Sequence, residues 1–454
     1  MPRAGLNPSD AMGAVAWHTA LAGWLELDDH LLRGRPCAAI AAAGWASAGT
    51  ASLEQLLAAT VAGNEVAGRV GLATVLGADS WGCPPATAAG VAVTAGLLAG
   101  LDEPALCHAV GLALSAPSTS IARTPDVPAV ISHARAAEAG MRAVLQARSG
   151  EQTSLDLLDR ADGFLSSLSW RPLLGALSGM GTAWLTDTIS HRRFACAPAG
   201  VTAVDSVAEI LARHVKAADK RLRVDQVERI EVYGPGVLAS MAASGPLLPS
   251  ALPWALPELL GLLVARHDLS AADLSPDVLR AQADGIRRVA DRVEVFVQPS
   301  RTAEALTAQL DVLGPLLAEL GWRDARRELR HLSGSADRFG GQGRGGEGLR
   351  AVLRLVRSAA GLRALTAGQL QDVDVASWQL HLPVEVQLYT TRGGRWPERR
   401  LLPDGSPGAD WTQTQQLVHR RFDGTDQESA AYQMSEAASD AMALPLLAPL
   451  LPQR

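Results

Sequence analysis

Cysteine is scarce: Cys37, Cys83, Cys107 and Cys196 are the only four. They lie far apart and show no Cys-x-x-Cys or Cys/His ligand spacing, which argues against a structural zinc site. They are also too few, in so long a chain, for a disulfide scaffold. Lysine is scarce as well, and the net charge is −6. The broad basic footprint of a nucleic-acid binder is therefore missing. Local pairs such as Arg399-Arg400 and Arg420-Arg421 read more simply as solvated faces than as phosphate sites. Long apolar runs are missing too. The stretch Ala86 to Leu101 is rich in Ala and Gly and falls short of the roughly 20 residues that span a bilayer. Met1-Pro-Arg-Ala-Gly lacks a charged segment followed by an apolar one. No signal peptide is expected, and the cytosol is the expected compartment. The glycine-rich run Ser333 to Gly346 follows no strand and precedes no Gly-Lys-Ser/Thr, so it reads as a flexible loop rather than a phosphate loop.

What is present suits a folded globule: 48% of residues are apolar and 19% charged. The length of 454 residues leaves room for two or three domains of about 100–200 residues each. From Leu53 to about Gln146 the chain reads as successive helices. Leu53 to Val70 carries apolar residues at three- and four-residue spacing. Ser52 can cap it, with Gln55 as the capping-box partner. Thr87 to Leu101 is apolar and small on every face, which predicts a buried helix. Its Gly90, Gly96 and Gly100 suit helices that approach closely. Asp102 and Pro104 open the next helix, and Ala134 to Arg148 is another.

The texture changes near residue 190. Val224 to Tyr233, Arg292 to Val297 and Val384 to Thr390 read as strands, with Gly393-Gly394 supporting a hairpin turn. Helices are expected at about 205–218 and 253–266. Between the second and third strands, Thr302–Leu320 and Glu347–Ala359 read as helices. Asp426 to Leu450 reads as a closing helix. The expected fold is mainly α. It comprises a large all-helical domain (1–190), a smaller α+β domain (191–409, with a helical insertion at about 300–382) and a helical segment (410–454) returning to the first domain.

Several segments, in order, resemble the MmgE/PrpD family, which includes 2-methylcitrate dehydratase, cis-aconitate decarboxylase and iminodisuccinate epimerase. Ala16-Trp-His-Thr followed by Leu27-Asp28-Asp29 resembles its Ala-x-His…Asp-Asp segment. Leu56 to Arg69 resembles its Leu-Leu-x-Ala-x-x-x-Gly-x-Glu-Val-x-x-Arg helix and is the most specific match. Pro84 to Asp102 resembles its His-Pro…Leu-Gly-Leu helix, and Arg193-Phe194…Asp205 its approach to the second domain. Asp404-Gly405-Ser-Pro-Gly fits its final hairpin. The resemblance implies a site between a helical domain and a lid, a homodimer, and neither metal nor organic cofactor. It also implies proton removal next to a carboxylate, with loss of water or carbon dioxide or re-protonation on the other face.

Such chemistry needs a positioned base, donors aimed at the developing enolate and cations for carboxylates. The family uses an Asp, several His and two Lys. Here most of these positions differ. The His after Asp-Asp falls on Arg35, the His of the His-Pro helix on Cys83 or Pro84, a Lys on Ala129, a His on Ser132, the lid Lys on Arg192 and the His before Asp205 on Val201. Catalytic candidates are Asp29, His30, His133 and Cys83. Substrate-binding candidates are Arg35, Arg123, Arg192 and Cys196, with Arg193 and His18 as weaker ones. Each has a plainer alternative. Asp29 could be a cap or surface carboxylate, His30 an exposed loop histidine, and Cys83 and Cys196 small core fillers. His133 and the arginines could be ordinary polar residues. Trp17, Trp24, Trp45 and Trp81 could line an apolar pocket or pack in the core. Two functions follow from the sequence. One is a divergent lyase or isomerase acting by proton abstraction on a non-standard, anionic or carbonyl-containing small molecule. The other is a non-catalytic binding or partner protein.

Overall fold

The computed structural model describes residues 10–32, 34–75, 84–116, 127–158, 160–317, 368–408 and 411–420. The first half is helical: α1 (Ala11–Trp24), α2 (Cys37–Ser47), α3 (Leu53–Ala73), α4 (Pro84–Leu98), α5 (Glu103–Ser115) and α6 (Val127–Arg148). The capping box at Ser52 is formed. The Gln55 N–H donates to Ser52 Oγ at 3.2 Å and the Ser52 N–H to Gln55 Oε1 at 2.9 Å, a pattern that contributes about 1 kcal/mol. Helix α4 is buried on every face from Pro84 to Gly96. It crosses α3 so closely that a Cβ at Gly63 would lie 2.6 Å from the Gly90 carbonyl. Gly100 differs from expectation. It lies beyond the end of α4 with φ +71°, a left-handed conformation that glycine adopts freely. Asp102 then caps α5, accepting from the Ala105 N–H at 3.0 Å. Helices α1, α2 and α4 to α6 close over an alanine-rich core that includes Ala39, Ala43, Ala88, Ala92, Ala109 and Ala137.

A two-residue sheet joins the halves. Strand β1 (His30–Leu31) pairs antiparallel with β2 (Ile189–Ser190), setting His30 opposite Ser190. After short α7 (Phe164–Leu168) and this bridge comes α8 (Val201–Ala218), then β3 (Val227–Gly234), α9 (Leu256–Arg266), α10 (Pro276–Ala281), α11 (Ala283–Ala290) and β4 (Val293–Val297). Helix α12 (Pro299–Leu317) precedes the hairpin of β5 (Val384–Thr390) and β6 (Arg395–Arg400), and α13 (Trp411–Arg420) follows it. The sheet order is β4-β3-β5-β6, with β3 and β4 parallel and the other pairs antiparallel. Ile230, Val232, Val386 and Leu388 alternate onto one face and pack with α8 and α9. The hairpin turns at Gly393, φ +81°. Strand β6 is the return strand of the hairpin expected at Gly393-Gly394, although Arg395-Trp-Pro-Glu-Arg-Arg has no apolar alternation of its own. It is an edge strand, where Pro397 and charged residues are tolerated.

The flanks of the 300–382 segment pack with the helical half. Leu316, Leu370, Val373 and Val375 share a core with Leu31, Val70 and Leu185. The Ser333–Gly346 loop, the helix expected at Glu347–Ala359 and the closing helix at Asp426–Leu450 lie outside the described residues. So do Cys83 and Arg123. Among the described residues no helix is long and apolar enough to cross a membrane.

Candidate active site

Helix α1 ends at Trp24, and the chain turns back through Glu26 in a left-handed conformation, φ 55°. For a residue with a side chain that costs on the order of 1–2 kcal/mol. The turn sets Glu26 and Asp28 on one loop facing Arg35, which lies two residues before α2. Arg35 grips Asp28 with a two-pronged fork: Nε donates to Oδ2 at 2.7 Å and Nη2 to Oδ1 at 2.6 Å. Its Nη1 donates to Glu26 Oε1 at 2.7 Å. Planar guanidinium suits this geometry better than an ammonium.

Arg192 arrives from the other half, two residues past β2. It is buried, and its Nη1 donates to the Glu26 carbonyl at 2.8 Å, to Glu26 Oε2 at 3.3 Å and to the Cys196 carbonyl at 2.7 Å. Its Nη2 lies against His30 Nε2, the acceptor of that contact. Glu26 therefore bridges both arginines. No sequence motif singled it out, since nothing local marks a carboxylate in a left-handed turn as central.

The charges set the protonation states. Burial alone would raise the Asp28 carboxyl, but the Arg35 guanidinium outweighs it and holds the group at about 2. His30 is pushed well below the ordinary histidine value by burial and then by Arg192. His133 on α6 falls to about 4, again through burial first and Arg35 second. Both imidazoles are neutral at pH 7. The Nδ1 of His133 is fully buried and has no hydrogen-bond partner among the described residues.

These groups meet at a small pocket. Its lining comprises Thr19, Asp28, Arg35 and His133 together with Gly23, Ala38 and Val130. It has room for about one water molecule. Glu26, Asp28 and His30 bring donor atoms within 4.8 Å of one another, a spacing that could hold a divalent cation. Each already contacts a guanidinium, so a cation would have to displace Arg35 and Arg192.

Residues 7–173 match the family model described as the MmgE/PrpD N-terminal domain. That stretch belongs to the MmgE/PrpD family. The match contains every pocket residue and leaves Arg192 outside it. No curated protein matches the chain. Enzymes of the MmgE/PrpD family are in general of the dehydratase or lyase type.

Against the MmgE/PrpD pattern, the structure brings His30, Arg35, His133 and Arg192 into one neighbourhood. Asp29 points elsewhere: its Oδ2 lies 3.1 Å from His191 Nδ1, and the carboxylate in the pocket is that of its neighbour Asp28. Cys196 does not reach the pocket. It is fully buried in the core under the sheet, its thiol donates to the Ala197 carbonyl at 3.3 Å, and burial pushes its pKa well up. A buried thiol of that kind is a filler rather than a substrate contact. Arg193 faces outward toward Asp404, 3.4 Å away. Lys216 and Lys220, the chain's two lysines, are both exposed at the far end of α8. No lysine can take the roles that the resemblance assigns to lysine.

Proposed function

We propose that this chain is a divergent lyase or isomerase that removes a proton next to a carbonyl or carboxylate of a small molecule. Elimination, isomerisation or cyclisation follows, on a substrate outside the usual acids of the family. The observation that carries this reading is His133: a neutral imidazole with a buried, unpartnered Nδ1, set in a pocket beside a guanidinium. A buried polar atom left without a partner costs about 1–3 kcal/mol, and a substrate proton is what such an atom lacks. In this reading His133 accepts the proton from carbon, and Arg35 faces the oxygen that gains charge. A value of about 4 keeps the lone pair of His133 free at pH 7. Negative charge developing on the substrate beside it raises its proton affinity as the reaction proceeds. The reading includes a homodimer, as the resemblance implies, and the cytosolic location expected from the sequence.

The test is deuterium uptake from D2O into a panel of carbonyl compounds and carboxylic acids, followed by mass. Uptake that His133→Gln removes, in a variant that still folds, supports the assignment. Uptake unchanged in His133→Gln rules out His133 as the base. One observation favours the non-catalytic alternative: both arginines are already held by internal carboxylates around a pocket of one-water size. Under it, a ligand would raise the melting temperature with no exchange and no product.

A further inference from the structure

The family resemblance implies anionic substrates, and Arg35 and Arg192 are the cations that would meet them. Their charges are already used. Around the pocket stand two guanidiniums, Arg35 and Arg192, and two carboxylates, Glu26 and Asp28, all joined to one another. Their sum is zero. His30 and His133 add nothing while neutral. Asp29 and His191 pair outside this group. No lysine stands among the described residues nearby, since both lie at the end of α8.

Consider a substrate carboxylate entering beside Arg35. At contact range in a buried site, each unit charge acts on it far more strongly than in water. Attraction to Arg35 is then met by repulsion from Asp28, which grips the same guanidinium. The carboxylate would still lose its water. A tricarboxylate would meet that loss three times, with no uncompensated cation among the described residues that line the pocket. A neutral carbonyl meets no charge repulsion and gives up far less hydration than a carboxylate does. Its oxygen fits the space of about one water, and Ala38 and Val130 in the lining suit an apolar flank.

Resting on the reading above, we infer that this pocket takes an uncharged carbonyl compound at its reactive end, with the carbonyl oxygen toward Arg35 and the adjacent carbon toward His133. Asp28 is then the specificity-determining residue, because it neutralises the arginine that would otherwise hold an acid.

The experiment uses matched pairs, each a keto acid and its methyl ester, led by levulinate and methyl levulinate. Binding to the full-length protein is measured by saturation-transfer NMR, and exchange by deuterium uptake next to the ketone. The wild type should bind esters at least ten-fold more tightly than the acids. Asp28→Asn leaves one positive charge unmatched, so levulinate should gain at least ten-fold in that variant. The wild-type comparison stands even if the variant fails to fold. Acids binding as tightly as their esters, or no ester binding in any pair, overturns the inference. Ester binding without exchange leaves the inference standing and removes the proton-abstraction reading. Exchange that favours the acids does the reverse.

Discussion

Two buried ion clusters start from the helical half, and they differ in whether they border a cavity. In α3, Glu65 and Arg69 are 0% and 2% exposed, with Arg69 Nη1 3.1 Å from Glu65 Oε2. Arg69 donates to the Gly179 and Ala183 carbonyls at 3.0 and 2.7 Å. Glu65 accepts from the Thr186 N–H and hydroxyl at 2.7 and 3.0 Å. This pair stitches α3 to the 179–186 segment. The second cluster, Glu26, Asp28, Arg35 and Arg192, borders a pocket and stands beside the unpartnered Nδ1 of His133. The first comes from the most family-like stretch of the sequence and the second from a weaker match. Glu65 Oε2 and Arg69 Nε and Nη1 are also buried without hydrogen-bond partners, so motif specificity marks a packing joint and the cavity marks the candidate site.

The sharpest way to break this contrast is to remove both members of each pair. Arg69→Met alone leaves Glu65 buried without its cation, which should cost about 3–5 kcal/mol. The double variant Glu65→Leu/Arg69→Met should recover little, because the Thr186 N–H and two carbonyls also lose their partners. Asp28→Leu/Arg35→Met should stay within about 2 kcal/mol of wild type, since balanced charges leave together and Glu26 keeps Arg192. Urea unfolding of the four proteins measures this. Equal recovery in both doubles would erase the distinction between joint and site.

A smaller effect separates the site from a third buried acid. Asp205 on α8 is fully buried, and its Oδ2 accepts from the Asp404 N–H at 2.8 Å. Burial, and then the Asp404 carboxylate, raise it to about 7, whereas Asp28 lies at about 2. For Asp205 the folded state holds a proton that the unfolded chain releases above the ordinary aspartate value. Its contribution to stability is full below about 4 and is lost as pH rises through 7. Asp205→Asn keeps the acceptor and cannot ionise. Relative to wild type it should gain on the order of 2 kcal/mol between pH 5.5 and pH 8. Parallel curves for the two proteins would show that Asp205 is ionised throughout.

The sequence made the helices legible where local chemistry decides them. Ser52 and Asp102 cap as their side chains require, and apolar spacing marks α3. The strands of alternating Val and Ile were legible too. Of strand β6 only the turn before it was legible, because an edge strand of Arg, Pro and Glu is held by pairing to β5 rather than by a pattern of its own. In the site, His30, Arg35, His133 and Arg192 were readable as polar residues near family positions. Choosing Asp28 over Asp29 was not, since adjacent residues differ only in the direction that the turn gives them. Glu26 escaped for the same reason: its role depends on a left-handed φ and on Arg192, far away in sequence. Cys196 stood at a motif position, but only packing shows that it lies under the sheet.

The smallest expected effect tests whether His133 is as buried electrostatically as its Nδ1 is geometrically. Its folded value of about 4 lies below the ordinary 6.5. Between those values the unfolded chain binds a proton and the folded chain does not. Stability therefore falls as pH drops from 6.5 toward 4, by at most about 1.4 kcal/mol per pH unit for one group. Gln cannot titrate, so His133→Gln should lose this slope while His30, shifted in the same direction, keeps its own. Between pH 6.5 and pH 5 the variant should lose about 1 kcal/mol less than wild type, read as the difference in urea midpoints. An unchanged slope would mean that His133 takes up its proton in the folded protein as readily as in the unfolded one. The pocket would then be wetter and less cationic than Arg35 makes it, and the neutral base of the proposed reaction would be lost with it.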